Sequence, residues 1–304
     1  MKKVFVSIIN YNNPKDTIEC LESINNLKTD KIDLNVVVID NASEEKLELK
    51  ENFLKDISLK LIFNCKNLGF SGGHNLGIKY AISKNADYVV ILNNDTILDA
   101  NLIGELVKAA SEDLKIGIVS PKIYFAKGSE FHKERYKKED LGKVIWYAGG
   151  KMDWKNVIGE HLGVDEVDKG QFDEKRKVDF ASGCCMLIKK EVFEKIGYFD
   201  ERYFLYYEDN DFSQRAKSKG YEIIYAPRAI LWHKNAGSVG GSGSSLQDYY
   251  ITRNRLLYGT TYSSLRTKLA LLKESVKFLL NGRRGQKKGA LDFYLRRFGQ
   301  GSFI

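Results

Sequence analysis

Long apolar runs are absent from this 304-residue sequence, so no stretch reaches the roughly 18 apolar residues that a membrane-spanning helix requires. Proline is scarce, at three residues, and with a hydrophobic share of 43% the composition is that of an ordinary globular chain rather than a disordered one. The four cysteines (Cys20, Cys65, Cys184 and Cys185) make neither a CxxC pair nor a secreted-type framework, so reduced thiols in a cytosolic protein are expected. The opening MKKVFVSIINYNN carries two lysines, but its apolar run is too short for a signal peptide; a cytoplasmic protein is expected. Phosphate-binding glycine motifs are missing too. The glycines of GFSGGHNLG miss the GxGxxG spacing and the sequence lacks GK[ST], which removes support for NAD or ATP phosphate binding.

What is present begins with charge that is unevenly placed. The net charge of +8 resides in residues 261–304, where ten Lys and Arg face only Glu274 and Asp292; residues 1–260 are neutral. A chain of this length buries roughly 75% of its unfolded surface and is long enough for one large α/β domain with an appendage.

Strand and helix signals alternate. VFVSII is followed by Asn13 as N-cap, Pro14 at the first helical position, and Ile18, Leu21 and Ile24 at helical spacing. Val36 to Ile39 is a continuous apolar run, as a strand buried on both faces of a parallel sheet requires. LKLIFN and DYVVILNND read as further strands, with helices predicted over NLGIKYAIS and ANLIGELVKAA. This alternation predicts an α/β fold with a mostly parallel, Rossmann-like sheet flanked by helices. Residues 126–177 read as an excursion with a hairpin; VDFASGCCMLIKKEVFEKIG returns as strand and helix; ALLKESVKFLL and ALDFYLRRF read as amphipathic helices.

Ligands of such sheets bind beyond the carboxyl ends of the strands. The strand ends here are NYN (10–12), DNAS (40–43), NLGFSGG (67–73) and NND (93–95), each also an ordinary turn composition. Asp95 reads either as the holder of a divalent cation on a departing diphosphate, with Asn93 or Asn94 on ribose or metal-bound water, or as part of a polar turn. Glu208 and Asp209 follow an aromatic run at a helix start. There a carboxylate either complements the helix dipole or, with its pKa moved by desolvation, acts as a general base toward a sugar hydroxyl. His233 closes the AILWH strand and reads either as a packed core residue or, if it faces the same crevice as Asp95, as a nitrogen donor to an oxygen site suited to Mn²⁺ or Mg²⁺. NAGSVGGSGSS (235–245) reads as a lid or as a linker.

In their order, VSIINYN, VVVIDNAS, NLGFSGGHNLG, YVVILNNDTIL, the GCCMLIKK to EDND segment, LWHK and YYITRNRLL resemble the inverting family-2 glycosyltransferases of the GT-A fold. The resemblance covers residues 3–260, and within the family it is strongest to rhamnosyltransferase-like enzymes of cell-surface polysaccharide synthesis. It implies that Asn10, Tyr11 and Asn12 line the nucleobase and ribose, that Asp40 bonds the pyrimidine, and that Asn67 and Gly69 lie near the sugar nucleotide. Asp95 would bind a Mn²⁺ or Mg²⁺ ion, His233 would complete that site, and Asp209 would be the base, with Glu208 and Asp211 positioning the acceptor or the helix. Arg253 and Arg255 match a family pattern and would either fork onto the diphosphate or pin their helix to the domain. One departure is Asn93-Asn94-Asp95 in place of Asp-x-Asp, which leaves one carboxylate fewer for a metal.

The expected organisation is a GT-A domain over 1–260 and a basic amphipathic helical tail over 261–304. The expected activity is inverting, metal-dependent transfer of a rhamnose-like sugar from a dTDP- or UDP-sugar to a glycan or lipid-linked saccharide. The alternative is a non-catalytic nucleotide-sugar-binding module. The tail's charge fits peripheral contact with the inner face of an anionic membrane, or else a solvated cap or dimer contact. A nucleic-acid partner is not expected, because the tail offers few aromatics, such as Phe278, Phe293, Tyr294 and Phe298, among its charges.

Overall fold

A computed structural model describes residues 1–50, 52–235 and 243–303; most of the 235–245 segment, read above as a lid or linker, lies outside them. In chain order the elements are β1 (Lys2–Asn10), α1 (Pro14–Ile24), β2 (Ile32–Asp40), β3 (Ser58–Phe63), α2 (Gly69–Ser83), β4 (Tyr88–Asn93), β5 (Thr96–Leu98), α3 (Leu102–Ser111) and β6 (Ile116–Phe125). They continue with β7 (Ile145–Tyr147), β8 (Gly150–Asp153), β9 (Ile158–His161), β10 (Arg176–Lys177), β11 (Cys185–Lys189), α4 (Lys190–Ile196), α5 (Glu208–Ser218) and β12 (Glu222–His233). Three helices close the chain: α6 (Ser245–Tyr262), α7 (Leu265–Asn281) and α8 (Arg284–Tyr294).

The main sheet runs β10-β12-β6-β11-β4-β1-β2-β3. Strands β4, β1, β2 and β3 are mutually parallel, as are β6 and β12, while β11 runs antiparallel between β4 and β6. Alternation along the central strands sorts side chains onto two cores. Val4, Val6 and Ile8 join Val90 and Leu92 beneath α1 and α3, whereas Phe5, Val89 and Ile91 join Ile78, Phe193 and Phe212 on the other face. A parallel sheet covered on both sides explains why these strands read as unbroken apolar runs.

The N-terminal punctuation holds as read: the Asn13 side chain accepts from the Asp16 amide and Pro14 opens α1. The 126–177 excursion contains the β8–β9 hairpin. The glycine-rich stretch departs from expectation. The helix α2 begins at Gly69, six residues ahead of the predicted NLGIKYAIS helix, so residues 69–74 are helical turns rather than a strand-end turn, and His74 is buried within that helix, paired with Ser7 at 3.0 Å. The glycines there let the helix approach the sheet. A Cβ on Gly73 would meet Ile9 at 2.7 Å and one on Gly77 would collide with Ser7.

The terminal helices share a core with the rest of the protein. Leu256, Leu257 and Tyr258 of α6, Leu271 of α7 and Ala290 of α8 pack with Met152, Val157 and Tyr203. Gly285 and Gly289 let α8 lie directly against the α6 backbone, where a Cβ on Gly289 would meet the Tyr249 carbonyl at 2.5 Å.

Candidate active site

The carboxyl ends of β1, β2 and β4 meet in one polar network. Asn94 donates to Thr17 Oγ1 (2.8 Å), Thr17 Oγ1 donates to Asn10 Oδ1 (2.8 Å), and Asn10 Nδ2 donates to Asp40 (2.8 Å). Asp40 also accepts from the Ser43 amide (2.9 Å) and the Leu47 amide (3.3 Å), which fixes the segment after β2. Asn12, in a left-handed conformation with φ 51°, accepts from the Glu44 amide (2.8 Å). Asn10 is fully buried and Asp40 nearly so, while Tyr11 is 39% exposed and faces outward from the rim of the network. On the adjoining side Asn67 Oδ1 accepts from Asn41 Nδ2 (2.9 Å) and from the Gly69 amide (2.8 Å).

Beyond β4, the end of β12 returns alongside β5, pairing His233 with Thr96. This register brings His233 Nε2 to 3.1 Å from Asp95 Oδ1, with both side chains buried. The backbone confirms the closure, since the Lys234 amide donates to the Asp95 carbonyl (2.8 Å), and the Lys234 ammonium binds Asp16 at 2.8 Å and Glu19. Trp146 stands edge-on to His233 at 4.6 Å between centroids and likewise to His161 at 4.5 Å. Burial pushes the His161 imidazole down to about 4, so this ring is neutral at physiological pH.

Asp209 lies in the first turn of α5. Its Oδ2 accepts from the Gly183 amide (3.0 Å) and its Oδ1 from the amide and side chain of Asn210 (2.7 and 2.8 Å). Burial raises its pKa above the ordinary aspartate value, and these hydrogen bonds to the charged form oppose the rise. The turn that holds Asp209 also holds the end of β4, because the Cys184 carbonyl accepts from the Asn93 amide (2.9 Å). One short segment, 183–184, therefore couples the Asp95 strand end to the Asp209 carboxylate.

Neighbouring Glu208 is only 5% exposed, and its Oε2 has no hydrogen-bond partner among the described residues. Burial, reinforced by the nearby Asp209 charge, holds its pKa well above the usual carboxylate range. Asp211 is a helix fastener. It binds Arg215 at 2.8 Å and accepts from the Tyr262 hydroxyl at 2.7 Å.

The segment entering α5 is bent. Phe204, Tyr206 and Tyr207 have φ of 58°, 68° and 72°, a left-handed conformation that costs each of them roughly 1–3 kcal/mol. Two elements hold it in place. From α2, the Phe70 amide donates to the Phe204 carbonyl (2.7 Å), an approach that only glycine allows at position 69, where φ is +69° and a Cβ would overlap Phe204. From α6, Asn254 Nδ2 lies 2.7–2.8 Å from the carbonyls of Tyr203, Leu205 and Tyr206.

The same clamp engages the two arginines of the RNR motif. Arg253 is fully buried, donates to the carbonyls of Arg202, Tyr203 and Arg297 and to Tyr249, and lies over the rings of Tyr249 and Tyr250. Arg255 points to the Asn156 carbonyl (2.8 Å) and to Glu274 on α7 (3.0 Å). Both arginines pin α6 to the domain, the second of the two roles their motif allowed. A buried guanidinium satisfied by backbone carbonyls and an exposed one reaching phosphate have the same sequence signature, which is why the motif alone left both roles open.

A family model described as Glycosyl transferase family 2 matches residues 5–197. The chain belongs to this family. Among curated glycosyltransferases it is 27% identical over 253 residues to a low-salt glycan biosynthesis hexosyltransferase, Agl10, of Haloferax volcanii, covering 83% of this chain and 74% of that protein. It is 28% identical over 159 residues to an N-acetylglucosaminyl-diphospho-decaprenol L-rhamnosyltransferase of Mycobacterium tuberculosis. That match takes in 52% of this chain and spans about half of the mycobacterial protein, 50% of its length. Among solved structures, GalNAc-T7 with UDP, GalNAc and Mn²⁺ superposes with a TM-score of 0.61 at 17% identity, over 92% of this chain and 56% of that one. The fold is GT-A, and the protein is a glycosyltransferase.

Several groups at this family-2 site carry no sequence signal strong enough to find them. Gly183 sits in an unremarkable ASGCC stretch, and His161 and Trp146 come from the excursion, whose sequence shows a hairpin but not which face it covers.

Proposed function

We propose that this glycosyltransferase moves a sugar from a nucleoside-diphosphate sugar, dTDP- or UDP-linked, to a hydroxyl of a glycan or lipid-linked saccharide, with inversion at the anomeric carbon. A rhamnose-like sugar is the favoured cargo, on the strength of the motif resemblance and of the rhamnosyltransferase relative. The observation that carries the reading is the Asp209 carboxylate, held by the Gly183 amide on a turn bonded to the strand end that bears Asp95.

Asp209 takes the proton of the acceptor hydroxyl as the new carbon–oxygen bond forms. The bond from the anomeric carbon to the diphosphate oxygen breaks on the opposite side, so one displacement inverts the configuration. A carboxylate with a raised pKa is a stronger base toward an alcohol than an exposed one, and general bases of this kind contribute typically 10²–10⁴-fold. The Asn94–Thr17–Asn10–Asp40 chain orders the rim on which Tyr11 and Asn12 meet the nucleoside, while Asn67 and Gly69 border the sugar nucleotide and Asn93 the ribose.

Asp95 and His233 fit a divalent cation as a two-ligand site. Their facing oxygen and nitrogen are buried together at 3.1 Å, a donor set suited to Mn²⁺ or Mg²⁺. Among the described residues no cluster of three His, Cys, Asp or Glu side chains gathers, so the protein alone does not complete a coordination shell. Bound there, the ion would neutralise charge on the departing diphosphate.

A thermal-shift and product-release screen against dTDP-, UDP- and GDP-sugars, with Mn²⁺, Mg²⁺ or EDTA, tests this reading. Stabilisation by one dTDP- or UDP-sugar that requires metal, with slow release of its nucleoside diphosphate, is the expected result. Indifference to all of these donors would overturn it.

A further inference from the structure

The last two helices carry an outward surface that the transfer chemistry does not use. On α7, Leu265, Leu269, Val276 and Leu280 are 73%, 60%, 49% and 67% exposed. Their spacings of four, seven and four residues place them on one face, and that face points away from the buried Leu271 and Ser275. Arg266 and Lys277 each follow one of these apolar residues, and with Lys273 they form a parallel basic strip about 100° further around the helix. On α8 the exposed positions Arg284, Lys287, Leu291 and Tyr294 again share one face, continued by the exposed Leu295.

Between the two helices lies a cavity of about 620 Å³ whose lining includes Arg284, Lys287 and Lys288 beside Leu279, Leu291 and Phe303. Basic groups beside an apolar wall match an anionic headgroup with its acyl chains. No described helix is long and apolar enough to cross a membrane.

We infer that α7 and α8 form a lipid-docking face, with the Leu265–Leu280 stripe entering the interface of an anionic bilayer and Arg284, Lys287 and Lys288 engaging its headgroups. Charge complementarity selects this occupant, since residues 261–304 hold the chain's entire net charge of +8 beside exposed apolar residues that would otherwise face water.

Sedimentation of the full chain with vesicles tests the inference, using phosphatidylcholine alone and phosphatidylcholine with phosphatidylglycerol. The expected result is binding only to the anionic vesicles, weakened by salt. It should fall by about tenfold or more in Leu269→Glu/Leu280→Glu and in Lys287→Glu/Lys288→Glu. Leu269, Leu280 and Lys287 are exposed and Lys288 is half-buried, so unchanged thermal unfolding serves as the folding control. Protein that stays in solution with anionic vesicles overturns the inference, as does binding that both double variants retain. A dimer in light scattering that Leu269→Glu/Leu280→Glu converts to monomer, without vesicle binding by the parent, would assign the stripe to a second copy of the chain instead.

Discussion

Asn254 Nδ2 donates to the Tyr203 carbonyl at 2.7 Å, so a side chain on α6 holds the backbone that delivers Asp209 to the crevice. The same amide group reaches the carbonyls of Leu205 and Tyr206, and Arg253 adds two more bonds from one turn of helix. Three left-handed residues in four would relax without these restraints. The proposed base is thus positioned from a helix that lies beyond the residues matched by the family model.

Replacing Asn254 with Ala removes these bonds and leaves buried carbonyls short of a donor. A loss of about 1–3 kcal/mol in urea-induced unfolding is expected. Turnover at saturating donor should fall by about tenfold or more through misplacement of Asp209, while donor affinity is unchanged. A rise in donor KM with normal kcat would show that the clamp serves binding instead.

Glu208 gives a pH signature. Its folded-state pKa is raised well above the ordinary value of 4.5 by burial and by the Asp209 charge, so the folded protein binds this proton more tightly than the unfolded chain does. The associated stability is complete below pH 4.5 and is lost as pH rises through the raised value. Glu208→Gln should therefore be more stable than the parent at neutral pH, and the difference should shrink on acidification. Melting temperatures of the two proteins across pH 4.5 to 8 measure this. A constant offset would mean that Glu208 does not change protonation between the states.

The Asp95–His233 pair predicts how metal acts. His233→Ala removes the nitrogen donor while Asp95 remains fixed through its carbonyl bond from Lys234. Mn²⁺-dependent stabilisation by the nucleoside diphosphate should drop by about tenfold in apparent affinity. Metal-independent nucleotide binding should persist. Isothermal titration with and without EDTA separates the two, and an unaltered metal response would remove His233 from the site.

Much of the fold was legible in the sequence because the strongest local signals are periodic or positional. Val36 to Ile39 reads as a doubly buried strand because it is one, and Asn13-Pro14 fixes the start of α1 through a cap that needs no tertiary context. Asp95 and His233 could each be flagged at a strand end, yet only the antiparallel pairing of β5 with β12 makes them neighbours. Glycine was the misleading signal. In GFSGGHNLG it marks close approach of a helix to Ile9, Ser7 and Phe204 rather than an open loop, and local sequence is the same in both cases. The role of Arg253 stayed open in the sequence for a similar reason, since it donates to carbonyls 44 to 51 residues away in sequence.

Asp209→Asn is the most direct test. The amide keeps the shape of the side chain but cannot take a proton, so turnover should fall by roughly 10²–10⁴. Stabilisation of the protein by its nucleotide sugar should be retained. Near-normal transfer by Asp209→Asn, with the donor bound as in the parent, would contradict the assignment of the base.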